Sequence, residues 1–251
     1  MSVGVRTKKK YISTVAYDGT HYAGFQVQPN APTIQQSIEK ALERIHKKPI
    51  KIFGSGRTDA GVHAKGQVFH FETELEIAES NWTRAINANL GRDIRILETV
   101  EAPLDFHARY SVKKKEYRYF LHRGAVENPF RRLYTYHIPR TLDMELIQQA
   151  TQLFIGEHDF TAFSSAKSNV QNKVRTIYRL EVVPMGDELI VICEGNGFLY
   201  NMVRIIVGTL IEVGLGNISL EHIQEAFITK NRKLVGVSAP PQGLFLWKVT
   251  Y

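Results

Sequence analysis

The sequence predicts an α+β protein built as two halves, each a sheet covered by helices. Three observations lead there. Runs rich in β-branched and aromatic residues recur along the whole chain and end at turn signals, as Tyr11 to Tyr17 does at Asp18-Gly19-Thr20. Between these runs lie segments whose apolar residues repeat at helical spacing, such as Ile34, Ile38, Leu42 and Ile45. The layout of the first hundred residues then recurs after Glu116 with no low-complexity linker between the two parts. The halves are expected to be residues 1–105 and 106–251, and a cleft between two such halves is a natural ligand site.

The elements follow in order. Thr33-Ile34-Gln35-Gln36 reads as a capping box that opens the first helix, which runs up to Pro49. Ile50 to Phe53 and Gln67 to Phe71 read as strands. Ser80 reads as the cap of a second helix with Trp82, Ile86 and Leu90 on its apolar face, and Ile94 to Val100 as the next strand. In the second half Glu116 to His122 alternates as a strand, with Tyr117, Tyr119 and Leu121 on one face. Thr141 caps a helix closed by Gly156. Strands are expected over Val174 to Val183 and Glu188 to Glu194, then an apolar helix from Phe198 to Val213. Ser219 caps a short helix through Phe227, and Leu244 to Tyr251 closes the chain as a strand.

Composition narrows the class. The chain has 251 residues and is 43% hydrophobic, enough for a real core and against disorder. No window approaches the roughly 18 apolar residues of a membrane helix, and the basic stretch Met1 to Lys10 has no apolar segment after it, so no secretory signal is read there. The single cysteine, Cys193, excludes an internal disulfide and suits a reducing cytoplasm. It follows Leu189-Ile190-Val191-Ile192 and reads as a buried, inert thiol. The net charge of +7 favours a polyanionic partner. Basic residues cluster at Arg6 with Lys8 to Lys10, at Lys113 to Lys115, at Arg131-Arg132, and at Lys230 with Arg232-Lys233. One such cluster is an ordinary solvated face; four favour nucleic acid over a small metabolite.

The stretch with the most chemistry is Gly54-Ser55-Gly56-Arg57-Thr58-Asp59-Ala60-Gly61-Val62-His63. Its three glycines exclude a regular helix or plain strand and specify a shaped loop. Arg57 can hold Asp59 ionised. The run lacks the Gly-Lys-Ser/Thr of a phosphate loop and the third glycine of a dinucleotide fingerprint. Local physics alone leaves a structural turn and a functional loop evenly matched. His63 and His70, without cysteines or an acidic partner nearby, make a poor zinc set, and no metal site is read.

A second feature is Arg204, in the middle of the apolar helix. An unpaired charge there costs several kcal/mol or more, so it needs a partner unless the side chain snorkels to the surface. The preferred reading is a buried ion pair with Asp59, which would keep that carboxylate ionised. Gly208, on the same face, would admit another backbone.

Together these residues resemble one family. Gly56-Arg57-Thr58-Asp59-Ala60-Gly61-Val62-His63-Ala64 is similar to the signature of the TruA-type tRNA pseudouridine synthases. So are Tyr17-Asp18-Gly19-Thr20 with Gly24-Phe25-Gln26, Phe106-His107-Ala108-Arg109, Lys115-Glu116-Tyr117-Arg118-Tyr119, Gly197-Phe198-Leu199-Tyr200-Asn201-Met202-Val203-Arg204, and Ala239-Pro240 with Gly243-Leu244. Gly91 departs from the pattern, which leads one to expect proline. The resemblance implies two similar α/β halves around a largely antiparallel central sheet, with the active cleft between them. It implies a cytoplasmic homodimer that takes tRNA as substrate and needs no cofactor. It also implies isomerisation of uridine to pseudouridine at positions 38, 39 and 40 of the anticodon stem-loop. By the same resemblance Asp59 is catalytic and Tyr117 packs on a flipped uracil. Arg57 fills or holds the vacated space, Leu244 forms an apolar wall, and Arg204 belongs to the pocket. The rival readings are a non-catalytic RNA-binding module, against which the loop is intact, and a nucleotide hydrolase, which lacks its lysine and metal ligands.

Overall fold

The computed structural model describes residues 8–165 and 170–251, so Arg6 of the first basic cluster lies outside the described residues. The chain divides into two compact units, Met1–Lys113 with Leu246–Tyr251, and Lys114–Phe245. Each is an antiparallel sheet with helices packed on it. Among the described residues no helix is long and apolar enough to cross a membrane.

The first unit is laid down as β1 (Lys9–Tyr17), α1 (Ile34–His46), β2 (Phe53–Gly54), β3 (His63–Thr73), α2 (Glu79–Asn87) and β4 (Ile94–Ala102). β1 is central, antiparallel to both β3 and β4, with Tyr11 opposite Phe71 and Val15 opposite Gln67. Alternation along β1 puts Tyr11, Val15 and Tyr17 into the core, where α1 adds Ile34, Ile38 and Leu42 and α2 adds Trp82 and Ile86. The rings of Tyr11 and Phe71 lie 5.5 and 5.2 Å from Trp82. Thr33 caps α1 as expected, its Oγ1 accepting from the Gln36 amide at 3.3 Å, and Lys47 ends the helix in the left-handed conformation at φ 56°.

The second unit continues as β5 (Lys114–His122), β6 (Tyr136–His137), α3 (Met144–Gln152), β7 (Gly156–Asp159), β8 (Val174–Met185), β9 (Glu188–Gly195), α4 (Met202–Gly214) and α5 (Leu220–Thr229). Its strands run in the order β5-β9-β8-β7, all antiparallel, with β6 parallel on the end of β5. The turn from β8 to β9 uses Gly186 at φ 59°. α4 is buried almost all round. β10 (Leu244–Thr250) begins in this unit and, from Leu246 on, returns to the first, beside β3.

Several expected boundaries move, each for a local reason. The apolar helix begins at Met202 rather than Phe198, because Asn201 sits at φ 60° and interrupts the helical path. Asp143 caps α3 in place of Thr141, its carboxylate accepting the amides of Glu145 and Leu146 at 3.0 Å each. Ala78 stands at the cap of α2, and Ser80 lies inside its first turn. Ile50 to Phe53 pairs only at Phe53–Gly54. Much of the basic charge is spent internally: Lys8 pairs with Glu72, Lys9 with Glu101 at 2.9 Å, Lys114 with Glu194 at 3.0 Å, and Arg131 with Glu188 at 2.7 Å.

The expected close approach at Gly208 is present. A Cβ there would lie 1.8 Å from the Val237 carbonyl oxygen, and one on Gly236 would meet Gly208 backbone at 2.6 Å. Gly208→Ala should therefore destabilise the protein in urea by about 3 kcal/mol despite the better helix propensity of alanine. A loss below about 1 kcal/mol would show that the 236–239 segment yields easily.

Candidate active site

The loop of residues 54–63 leaves β2 and enters β3, and hydrogen bonds hold it at Ser55, Gly56, Thr58, Gly61 and His63. The Ser55 amide donates to the Val68 carbonyl at 2.7 Å, and the Ser55 hydroxyl donates to Gln67 Oε1 at 2.5 Å. Gln67 Nε2 in turn donates to the Gly56 carbonyl at 3.0 Å. Gln67 is fully buried, so one side chain satisfies both backbone and hydroxyl groups that water cannot reach.

The middle of the loop rests on the turn after β1. The Tyr17 hydroxyl shares a 2.8 Å hydrogen bond with Thr58 Oγ1, and the Phe25 amide donates to the Thr58 carbonyl at 3.1 Å. Burial raises the Tyr17 phenol well above its usual range, so it stays protonated. The Gly61 amide donates to the Tyr22 carbonyl at 3.2 Å, and Tyr22 is fixed by a 2.7 Å bond from its hydroxyl to Asp93. Burial and the adjacent Asp93 carboxylate push the Tyr22 phenol up to about 12. The two glycines of the turn are steric requirements. A Cβ on Gly19 would stand 2.0 Å from the Val62 carbonyl oxygen, and one on Gly24, at φ 94°, would stand 2.5 Å from that of Thr58.

His63 closes the loop. Its Nδ1 accepts the Gly19 amide at 3.0 Å and lies 3.2 Å from the Asp18 carboxylate. Asp18 is engaged by the amide and hydroxyl of Thr20 at 3.0 and 2.5 Å. Between these anchors Thr58 is buried, Asp59 is half-buried and Arg57 is exposed. The loop thus presents a carboxylate from a fixed backbone, with a cation two residues away.

The other sequence-derived residues lie in the second unit, on three segments tied together. Tyr117, on β5 opposite Cys193, is buried and meets Phe198 edge to face at 5.1 Å. Arg204 is half-buried rather than enclosed, which corrects the expectation of full burial. Its Nε donates to the Ala239 carbonyl at 2.6 Å and its Nη1 to Asn201 Oδ1 at 3.1 Å, while its own carbonyl accepts the Ala239 amide. Leu244 is buried at the start of β10, behind the tight turn Pro241–Gly243. Tyr119, which sequence could not separate from Tyr117, is a core residue. It is fully buried, and its hydroxyl donates to the Pro240 carbonyl at 2.8 Å. Cys193 is buried, and burial pushes its thiol far up, so it is no nucleophile.

Sequence reasoning missed Tyr17, Gln67 and Phe198 as the supports of these groups. A buried glutamine inside an apolar strand was the available signal for Gln67. The grip of the turn on the loop carries a test. Gly19→Ala should lower hydrogen-exchange protection of the Gly61 and Val62 amides at least tenfold while α1 stays protected; unchanged protection would show the contact to be slack.

Comparison with known proteins agrees along nearly the whole chain. The family model described as tRNA pseudouridine synthase matches residues 14–111 and 150–251. A tRNA pseudouridine synthase A from Geobacillus sp. (strain WCH70) is 51% identical over 245 residues, covering 97% of this chain and 98% of that protein. One from Exiguobacterium sp. (strain ATCC BAA-1283 / AT1b) is 52% identical over 237 residues, covering 94% and 96%. A tRNA pseudouridine synthase A 1 from Bacillus cereus (strain ATCC 14579) is 50% identical over 239 residues, covering 95% and 97%. The chain belongs to the tRNA pseudouridine synthase family, and it is an isomerase that makes pseudouridine in tRNA.

Proposed function

We propose that this enzyme acts on uridines 38, 39 and 40 of the anticodon stem-loop, with Asp59 as its catalytic carboxylate. The observation that carries the reading is the clamped loop, in which Thr58 and Gly61, on either side of Asp59, are hydrogen-bonded into the frame and Asp59 itself is half-buried. The reaction breaks the C1′–N1 bond and forms a C1′–C5 bond. The C5 proton leaves to solvent and N1 takes one up, so atoms balance without a redox partner or group donor. A carboxylate can act here by attack at C1′, by attack at C6 of the base, or by taking the C2′ proton, and each route requires Asp59 ionised.

Arg204 is the residue proposed to keep it so. Its guanidinium is oriented by Ala239 and Asn201, which supports a fixed direction of charge. The target base must leave the stack, at a cost of about a few kcal/mol, and Tyr117 and Leu244 supply stacking and an apolar wall for it. Arg57, exposed beside Asp59, occupies the vacated space or holds the flipped nucleotide. Basic residues not spent on internal pairs contact phosphates and position the tRNA without reading sequence. Three neighbouring uridines sharing one pocket fits recognition by shape. A homodimer and a cytoplasmic setting belong to the same proposal and rest on the family resemblance.

Asp59→Asn should retain tRNA binding and abolish tritium release from 5-tritiated uridine in tRNA. Ordinary turnover in that variant would remove Asp59 from the chemistry. Arg204→Leu should lower kcat and move the acid limb of the pH–rate profile to higher pH. With the cation gone the carboxylate is protonated more easily, so the active ionised form needs a higher pH. A slower enzyme with an unmoved profile would assign Arg204 a purely structural role.

A further inference from the structure

A second surface of the first unit has features that the catalytic loop does not use. Phe53 lies just ahead of that loop and is 50% exposed, and Tyr110 is 77% exposed on the segment after β4. They are the two ends of a ladder of rings. Phe53 stacks on His70 at 5.0 Å with 15° between planes, His70 meets His107 at 4.8 Å, and His107 lies 4.3 Å from Tyr110. Arg109 lies over the Tyr110 ring, 5.9 Å from its centroid, and has no carboxylate partner among the described residues.

The ladder is built in, not draped on the surface. Ala108 is fully buried; its amide donates to His70 Nδ1 at 3.1 Å and its carbonyl accepts from the Tyr251 hydroxyl at 2.8 Å. Lys10, itself buried, donates to the carbonyls of Leu104 and Phe106. The segment is therefore pinned on both sides of His107. Burial, with His107 and Lys10 nearby, holds His70 down at about 4, so at neutral pH the inner rung is an uncharged ring. Exposed aromatic faces are expensive for a soluble protein to hold rigidly in water, and rigid faces beside an unpaired arginine have the chemistry of a base-stacking platform.

We propose that Phe53, His107 and Tyr110, with Arg109, form a stacking platform for an unpaired base of the tRNA substrate, apart from the uridine that reacts. The occupant follows from the page. The chain carries a net charge of +7, its family acts on tRNA, and one end of the platform, Phe53, directly precedes in sequence the loop that carries Asp59. A stacked base accepts any nucleobase, so the platform adds affinity and register without sequence preference. The proposal rests on tRNA as substrate and is independent of which uridines are modified.

The test is equilibrium binding of unmodified tRNA transcript to the full-length protein, with sedimentation and steady-state turnover on the same samples. Phe53→Ala and Tyr110→Ala should each raise Kd and KM roughly tenfold and leave kcat at saturating tRNA unchanged. Phe53→Tyr and Tyr110→Trp, which keep a ring, should restore binding. Arg109→Ala should reduce the slope of log K against log salt by about one, whereas the two ring truncations should leave it as it was. Unchanged Kd in both alanine variants would overturn the proposal. So would a change of oligomeric state in them, because the faces would then dock a second copy of the chain. An inactive wild-type enzyme would instead speak against the assignment of the reaction and leave these binding outcomes readable.

Discussion

The turn of residues 18–25 grips the peptide of residues 58–63, and the chemistry assigned to this protein depends on that grip. Gly19 and Gly24 let two backbones meet where no side chain fits, at 2.0 and 2.5 Å from a prospective Cβ. Thr58 gives up both its hydroxyl and its carbonyl to the frame, and His63 is fixed through its Nδ1. Fixing a glycine-rich loop costs about 1–2 kcal/mol per residue in backbone entropy. Here that ordering is complete before substrate arrives, so binding free energy remains available to turn a base out of its stack.

The second unit uses the same device for a different end. Gly208 and Gly236 bring α4 against the 236–239 segment, and the Ala239 carbonyl meets the Arg204 guanidinium at 2.6 Å. A backbone contact thus sets the direction of a side-chain charge. Tyr119 and Tyr117 divide the labour on β5: one is locked to Pro240 inside the core, and the other faces Phe198. In both units small residues bring backbones together, and the polar side chains named in the motifs are aimed by that contact.

Much of this was legible in residue order. The period-two and helical patterns located the main strands and the five α-helices among the described residues, and the run from Gly54 to His63 stood out by its glycines and charges. What was not legible depends on partners distant in sequence. Asp143 displaced Thr141 at the cap of α3 because its carboxylate reaches two amides. Asn201 delayed α4 by taking a left-handed conformation that apolar periodicity does not report. β6 and β7 span two and four residues, too short for any period to register. Gln67 carries no motif, and the motif that contains Tyr17 does not say what its hydroxyl holds; both matter because buried groups of the loop need them. The basic clusters overstated the free positive surface, since Lys8, Lys9, Lys114 and Arg131 already face carboxylates.

The proposal on which the rest turns is that the clamped carboxylate of Asp59 makes pseudouridine in the anticodon arm. Its most direct test is a map of pseudouridine across all tRNAs from cells lacking this protein, re-supplied with the wild-type chain or with Asp59→Asn. The expected result is loss at positions 38, 39 and 40 alone, restored by the wild type and not by the variant. Restoration by Asp59→Asn, or loss elsewhere in the tRNA with the anticodon arm intact, would contradict it.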